Sequence, residues 1–257
     1  MNIAIFVSNS LFFKPEFLNA ILSSLGEEVQ AIIAAPVKGK KVSFYVHLKR
    51  HYIMFGFVGS LKLAFKYLRK VVALSLGMLF GKPASIRQVA RHFNVPLHVT
   101  NDIHSPETID YIRELKPDLI ISSFAQIIRP SILSIPSIGI LNKHSGVLPK
   151  YRGIYPVFWA MLNRESEIGV TVHFMAKKVD AGPIVCEESI RVLPRDTFYT
   201  LFERAQNASA DLMLRAVELI KKGERGRTMD SAAIKKSYSY PKSEDVKEFK
   251  KKGLRMI

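Results

Sequence analysis

Residues 1–35, MNIAIFVSNSLFFKPEFLNAILSSLGEEVQAIIAA, decide the fold. Met1 to Ser8 runs apolar, as a central parallel strand does. Pro15 to Leu25 fits a helix, with Pro15 tolerated in its first turn. Val29 to Ala35 is a second apolar run with β-branched residues. Strand, helix and strand in this order open an α/β fold. The pattern resumes after Pro83, with a helix over Ile86–Phe93, a short strand at Val95–Val99, a helix over Pro106–Leu115 and a strand at Asp118–Ser122. A further strand, Gly139–Asn142, runs straight into a polar cluster. In an open α/β sheet, ligands gather at the carboxyl ends of strands, and Asn142 falls there.

Between Pro36 and Pro83 the regularity breaks. This segment mixes aromatic residues, among them Tyr45, Tyr52, Phe55, Phe57, Phe65 and Tyr67, with lysines and arginines. Its run Leu61–Phe80 contains Lys62, Lys66, Arg69 and Lys70, so only Val71–Phe80 is uncharged, about half of the roughly 20 residues a membrane span needs. The expectation is an amphipathic helix packed on the protein's own body, with a membrane surface as the alternative. From Arg195 a long amphipathic helix extends to about Lys222. The division expected is a catalytic domain over 1–222, with a basic aromatic insert at about 37–83, and a basic extension over 223–257 wrapped on the core.

The charge is uneven. Of 38 Lys and Arg against 22 Asp and Glu, giving a net +16, twelve basic residues fall between Glu28 and Asp102, where no acidic residue occurs. The tail from Lys221 adds twelve basic residues against five acidic ones. Such a field favours anionic partners: phosphorylated small molecules, nucleic acid or an acidic membrane surface. A solvated basic face without a partner is the plain alternative. The single Cys186 excludes an internal disulfide framework, and the amino terminus has no basic run before its apolar stretch; both point to the cytoplasm. Nothing in the sequence sets an oligomeric state.

The stretch Leu141–Ile190 holds the chemistry: LNKHSGVLPKYRGIYPVFWAMLNRESEIGVTVHFMAKKVDAGPIVCEESI. Asn142 and His144 sit two apart at a strand end, so both can face one side. The loop Leu148–Gly153 that follows reads as too polar for core. An Asn amide and a His ring converging on one point are suitable donors to a developing oxyanion. Asp180, in an Asp-Ala-Gly turn between two strands, can pair with the His and hold it protonated. That set suits acyl transfer to an amine without a covalent enzyme intermediate.

The segment resembles the signature of the folate-dependent formyltransferase family, which includes glycinamide ribonucleotide transformylase and methionyl-tRNA formyltransferase. The matching residues are Asn142 and His144, Leu148-Pro149, Arg152-Gly153, Gly169, Thr171 and His173, then Asp180 and Gly182. The resemblance is strong over about 115–192, weaker over the first 35 residues, and does not reach the insert. It implies a Rossmann-like α/β fold, a mostly parallel sheet flanked by helices. It implies that Asn142 hydrogen-bonds the formyl oxygen, that His144 stabilises the oxyanion as imidazolium, and that Asp180 orients His144 and helps move the amine's proton. His173 and Thr171 fall at supporting positions behind the site. The implied donor is 10-formyltetrahydrofolate, its pterin lying against Ser123, Gln126, Ile127 and Ile128; no metal is called for.

Departures from the pattern steer the acceptor. Gly146 stands where the family usually has Ser, so a hydroxyl role is absent or moved to Ser145. The loop Ser8-Asn9-Ser10-Leu11 lacks a glycine-rich phosphate cradle, which counts against glycinamide ribonucleotide. The chain as given carries neither the tRNA enzyme's carboxyl-terminal barrel nor the amino-terminal regulatory domain of formyltetrahydrofolate hydrolases. The expected acceptor is therefore a small, phosphorylated primary amine such as an amino sugar nucleotide. The alternatives are an enzyme like methionyl-tRNA formyltransferase, favoured only by charge, or a non-catalytic protein of this fold docking to an anionic partner or membrane.

Overall fold

The apolar runs pair into one sheet. The computed structural model describes residues 1–10, 13–37, 44–81, 83–230 and 237–257. Leu11 of the first loop, part of the insert (38–43 and 82) and 231–236 of the tail lie outside the described residues. Strands β1 (Ile3–Asn9), β2 (Val29–Pro36), β3 (Leu97–Val99), β4 (Leu119–Ser123) and β5 (Gly139–His144) are parallel. Strands β6 (Glu167–Phe174) and β7 (Ile184–Arg191) continue antiparallel, giving the order β3-β2-β1-β4-β5-β6-β7. β1 and β4 are buried on both faces apart from Asn9, which is why their sequences are continuous and not alternating. The chain leaves β1 to one side and resumes with β4 on the other. That reversal opens a crevice at the carboxyl ends of the two strands, closed at its base where the Ala125 amide donates to Ser8 Oγ at 2.9 Å.

Helices cover both faces. On one, α1 (Lys14–Leu25), α3 (Ile86–His92), α6 (Pro156–Leu162) and α7 (Phe198–Lys221) build the larger core; on the other, α4 (Pro106–Glu114) and α5 (Pro130–Leu133) cover a smaller one. Their starts follow capping chemistry. Ser105 accepts from the Thr108 amide ahead of Pro106, and Thr197 and Thr200 form a reciprocal box at the head of α7.

The insert is a helix, α2 (Phe44–Leu79), interrupted at Gly56, whose φ of 63° and ψ of −173° are open to glycine at little cost. It packs on the body through Met54 and Leu63, while Lys70 pairs with Glu16 at 3.0 Å and Lys66 lies over the Tyr199 ring at 4.7 Å. The run of Lys62, Lys66, Arg69 and Lys70 is thus divided, two turned to the body and two outward. Among the described residues, no helix is long and apolar enough to cross a membrane.

The tail carries a helix that its polar composition hid, α8 (Ser243–Lys251). Its Phe249 is fully buried and stacks on Phe158 of α6 with centroids 4.8 Å apart. Upstream, the Tyr238 amide donates to the Arg152 carbonyl and its carbonyl accepts from the Ile154 amide, while its ring stacks on Tyr151. Phe249→Ala should therefore cost about 3–5 kcal/mol, as loss of a filled aromatic site does. Chemical denaturation measures this, and a loss under about 1 kcal/mol would show the tail to be peripheral.

Candidate active site

β5 presents Asn142 and His144 on one side of the sheet, both nearly buried. The antiparallel register of β6 places His173 opposite Asn142 and Thr171 opposite His144. The turn from β6 to β7 carries Asp180 in left-handed backbone with φ 47°, a conformation that a short Asp tolerates. Gly182 lets this turn close against β6, since a Cβ there would stand 2.0 Å from the Phe174 carbonyl oxygen. Asp180 is thereby delivered between the two imidazoles. Its Oδ2 accepts the Gly153 amide at 2.8 Å and lies 3.7 Å from His144 Nδ1; its Oδ1 lies 3.7 Å from His173 Nε2.

The two histidines play different electrostatic parts. His173 Nδ1 lies 2.8 Å from the Phe174 carbonyl, so that nitrogen carries a hydrogen and donates it. Burial lowers the His173 pKa to about 4; Asp180 pulls the other way, and His144 adds to the lowering. The ring is therefore neutral near pH 7, and its bare Nε2 accepts from Asn142 Nδ2 at 3.4 Å. One amide hydrogen of Asn142 is held in this way, and the other is left for a group in the cleft. His144 Nε2 sits 2.6 Å from the Tyr151 carbonyl, which can only accept. Nε2–H donates to this carbonyl, and the Asp180 carboxylate stands near the other nitrogen. The Nδ1 gap of 3.7 Å exceeds a hydrogen bond, which leaves Nδ1 open to a third group.

The structure brings Asn142, His144, His173 and Asp180 to one cleft of about 500 Å³. Thr171 stands behind it, fully buried, donating to the Gly146 carbonyl at 2.7 Å. Gln126, Ile127 and Ile128 line the far wall, with the Gln126 amide donating to the Pro36 carbonyl at 2.6 Å. Ser123 is not brought there. It ends β4 with its hydroxyl buried, accepting from Lys14 Nζ at 2.6 Å. No hydroxyl fits at position 146, where a Cβ would meet Pro156 Cβ at 2.6 Å and His144 Nε2 at 3.1 Å. Ser145 instead accepts from Gln206 at 3.2 Å. Among the described residues, no group of three or more His, Cys, Asp or Glu is disposed to hold a metal ion.

The Leu148–Gly153 loop corrects its sequence reading. Leu148, Tyr151 and Arg152 are buried, because the tail covers them. Arg152, one of the pattern's residues, is given its part by the structure. Its guanidinium donates to the carbonyls of Val179 and Asp180, the latter at 3.0 Å, so it fixes the backbone that aims the carboxylate. Ser237, Tyr238 and Ser239 of the tail also line the cleft, and no local motif announced them.

An amide, an imidazole and a carboxylate at the head of a parallel strand define a site suited to chemistry at a carbonyl group. The model of the family described as formyl transferase matches residues 81–217, and the chain belongs to that family. Methionyl-tRNA formyltransferase of Methylacidiphilum infernorum (isolate V4) is 36% identical over 153 residues, 59% of this chain and 48% of the relative. The bifunctional polymyxin resistance protein ArnA of Wigglesworthia glossinidia brevipalpis is 33% identical over 177 residues, 66% of this chain and 27% of the relative. The chain thus spans about half the length, or less, of these curated relatives. Glycinamide ribonucleotide transformylase 1 from Symbiobacterium toebii shares the fold with a TM-score of 0.60 at 20% identity, covering 90% of this chain and 94% of that one. A sugar N-formyltransferase from Shewanella sp FDAARGOS_354 does so with a TM-score of 0.55 at 18% identity, covering 90% and 74%.

A buried neutral histidine has a signature in stability. Free His173 would titrate near 6.5 and the folded one near about 4, so the unfolded chain takes up the proton first on acidification. Stability from this group is present above 6.5 and is lost between 6.5 and about 4. His173→Gln should flatten the pH dependence of unfolding free energy across that window. An unchanged slope in the variant would mean that His173 is not the neutral partner of Asn142.

Proposed function

We propose that the protein transfers a formyl group from 10-formyltetrahydrofolate to a primary amine on a small anionic acceptor. The observation that carries this reading is the convergence of Asn142, His144 and Asp180 at the crevice, with one Asn142 hydrogen and the His144 Nδ1 left for a ligand. The far wall suits the donor. Phe124, Ile127, Ile128 and Met175 offer an apolar slot for a flat ring, edged by backbone at 124–128. When bound there, the donor supplies the formyl carbon. Asn142 Nδ2 donates to the formyl oxygen, where negative charge grows as the amine attacks. His144 Nδ1–H donates to the same oxygen, and each such donor contributes about 3 kcal/mol. Asp180 holds the ring's charge and takes up the proton that the amine loses. As the tetrahedral intermediate collapses, the bond from the formyl carbon to the donor's nitrogen breaks, and that nitrogen leaves with the proton.

The acceptor side carries two lysines below the sheet edge. Lys143, between the two donors on β5, bonds Gln206 and Ser209 and lines a second hollow of about 240 Å³ beside His144. Lys14 stands close by on Ser123. Among the described residues neither forms an ion pair with a carboxylate. Burial lowers Lys14 to about 8, and burial followed by the Lys14 charge lowers Lys143 well below the usual lysine range. Two buried lysines kept apart from carboxylates favour an anion on the acceptor, such as a phosphate, whose charge would hold them protonated. The relatives that formylate methionyl-tRNA keep that acceptor as a second reading, so both acceptor types belong in the assay.

Formyl-folate consumption should appear with one acceptor class, amino sugar nucleotides or charged initiator tRNA, and not without amine. Asn142→Ala and His144→Ala should each lower turnover about 100-fold or more while the fold persists; near-normal turnover in either variant would sink the assignment. Lys14 is charged below its pKa of about 8 and neutral above it. The acceptor KM should therefore rise with pH through that value in wild type. A Lys14→Gln variant that keeps the same rise would exclude this lysine from acceptor binding.

A further inference from the structure

The second half of α2 shows an apolar stripe to solvent. Phe57, Leu61, Phe65, Leu68, Val72 and Leu76 are 51% to 74% exposed, and their spacing of three or four residues sets them on one side of a run of about five turns. The opposite side is the one that packs on the body, through Leu63 and the Lys70–Glu16 pair. A helix that rests on its own protein should turn polar residues outward, and this one turns phenylalanine and leucine. Lys62 and Arg69 flank the stripe and are exposed. The region lies outside the residues matched by the family model, which begin at 81.

We propose that this face is a docking surface for a membrane containing anionic lipid, with α2 lying in the plane of the headgroups. Three observations select that occupant. The stripe is far longer than scattered surface apolar residues require, and it has the composition of interfacial helices, large apolar side chains edged by cations. The charge is complementary to an acidic bilayer: no Asp or Glu occurs between Glu28 and Asp102, and the chain carries a net +16. The same fact disfavours a second copy, because two copies meeting on this face would oppose cations with no local carboxylate to pair them. Insertion across the bilayer is barred, since the inner side of the helix is fixed to α1 and α7 by Lys70 and Lys66. The helix therefore lies flat, its stripe entering the boundary between headgroups and acyl chains.

Vesicle flotation with the full chain tests this. Vesicles of phosphatidylcholine mixed with phosphatidylglycerol should carry the protein at low salt, at least about tenfold better than phosphatidylcholine alone, and added salt should release most of it. Phe65→Ser with Leu68→Ser should reduce partitioning about tenfold or more. Lys62→Gln with Arg69→Gln should reduce it by about the same factor on anionic vesicles only. All four sites are exposed, so matched thermal unfolding midpoints should accompany these losses. Absence of flotation at low salt would overturn the proposal, as would binding indifferent to the four substitutions. A dimer in sedimentation velocity that the Phe65→Ser, Leu68→Ser variant abolishes would assign the face to a second copy instead.

Discussion

One carboxylate sets the geometry on which the site depends. Asp180 stands between two imidazoles from neighbouring antiparallel strands, and a backbone amide from a third segment holds it. A carboxylate placed so can compensate one positive ring but not two, because a second charge would be buried beside the first. The conflict is resolved by depth. His173, the deeper of the two, gives up its charge to burial and serves Asn142 as an acceptor. His144 stands nearer the cleft, with a carbonyl at Nε2 and the carboxylate near Nδ1. The surroundings of both rings thus follow from one placement, and Arg152 secures that placement by gripping the turn's carbonyls.

The surrounding architecture serves the same end. Reversal of strand order between β1 and β4 opens the crevice, and the antiparallel turn of β6 back along β5 brings His173 and Asp180 to it. Polar residues also cross to the helix side of the sheet. Lys143 shares a strand with Asn142 and His144 but bonds Gln206 and Ser209 of α7. The crevice thus has an apolar wall on one side of the strand ends and a cationic one on the other, a division suited to two ligands of unlike chemistry.

Much of this was legible in the sequence, for identifiable reasons. Strands buried on both faces write themselves as unbroken apolar runs, so β1, β2 and β4 could be placed to within a residue or two. Asn142, His144 and Asp180 were legible because their spacing and surrounding glycines form a pattern. Arg152 belonged to the same pattern, but its part did not show, since a buried arginine looks like a surface one until its carbonyl partners are known. The cleft's third wall, Ser237–Ser239, comes from a tail whose composition is that of a solvated extension; only Phe249 and Tyr238 give it purchase on the core. The direction of the Ser123 hydroxyl was not legible, because a strand-end side chain has two sides to face, and Lys14 decides between them.

The seating of Tyr238 bears on how the protein comes to life. Its backbone bonds the two residues that flank Gly153, and the Gly153 amide is the one that holds Asp180. A Cβ at Gly153 would stand 2.1 Å from the Tyr238 carbonyl, so the two segments meet with no room between them. The central strand β1 likewise waits for β4, whose residues follow more than a hundred positions later. Synthesis proceeds from the amino terminus, so the ribosome releases β5 long before the segment that clamps Asp180. A nascent chain can form the sheet while still tethered, yet this carboxylate stays unclamped until Tyr238 and its neighbours have emerged.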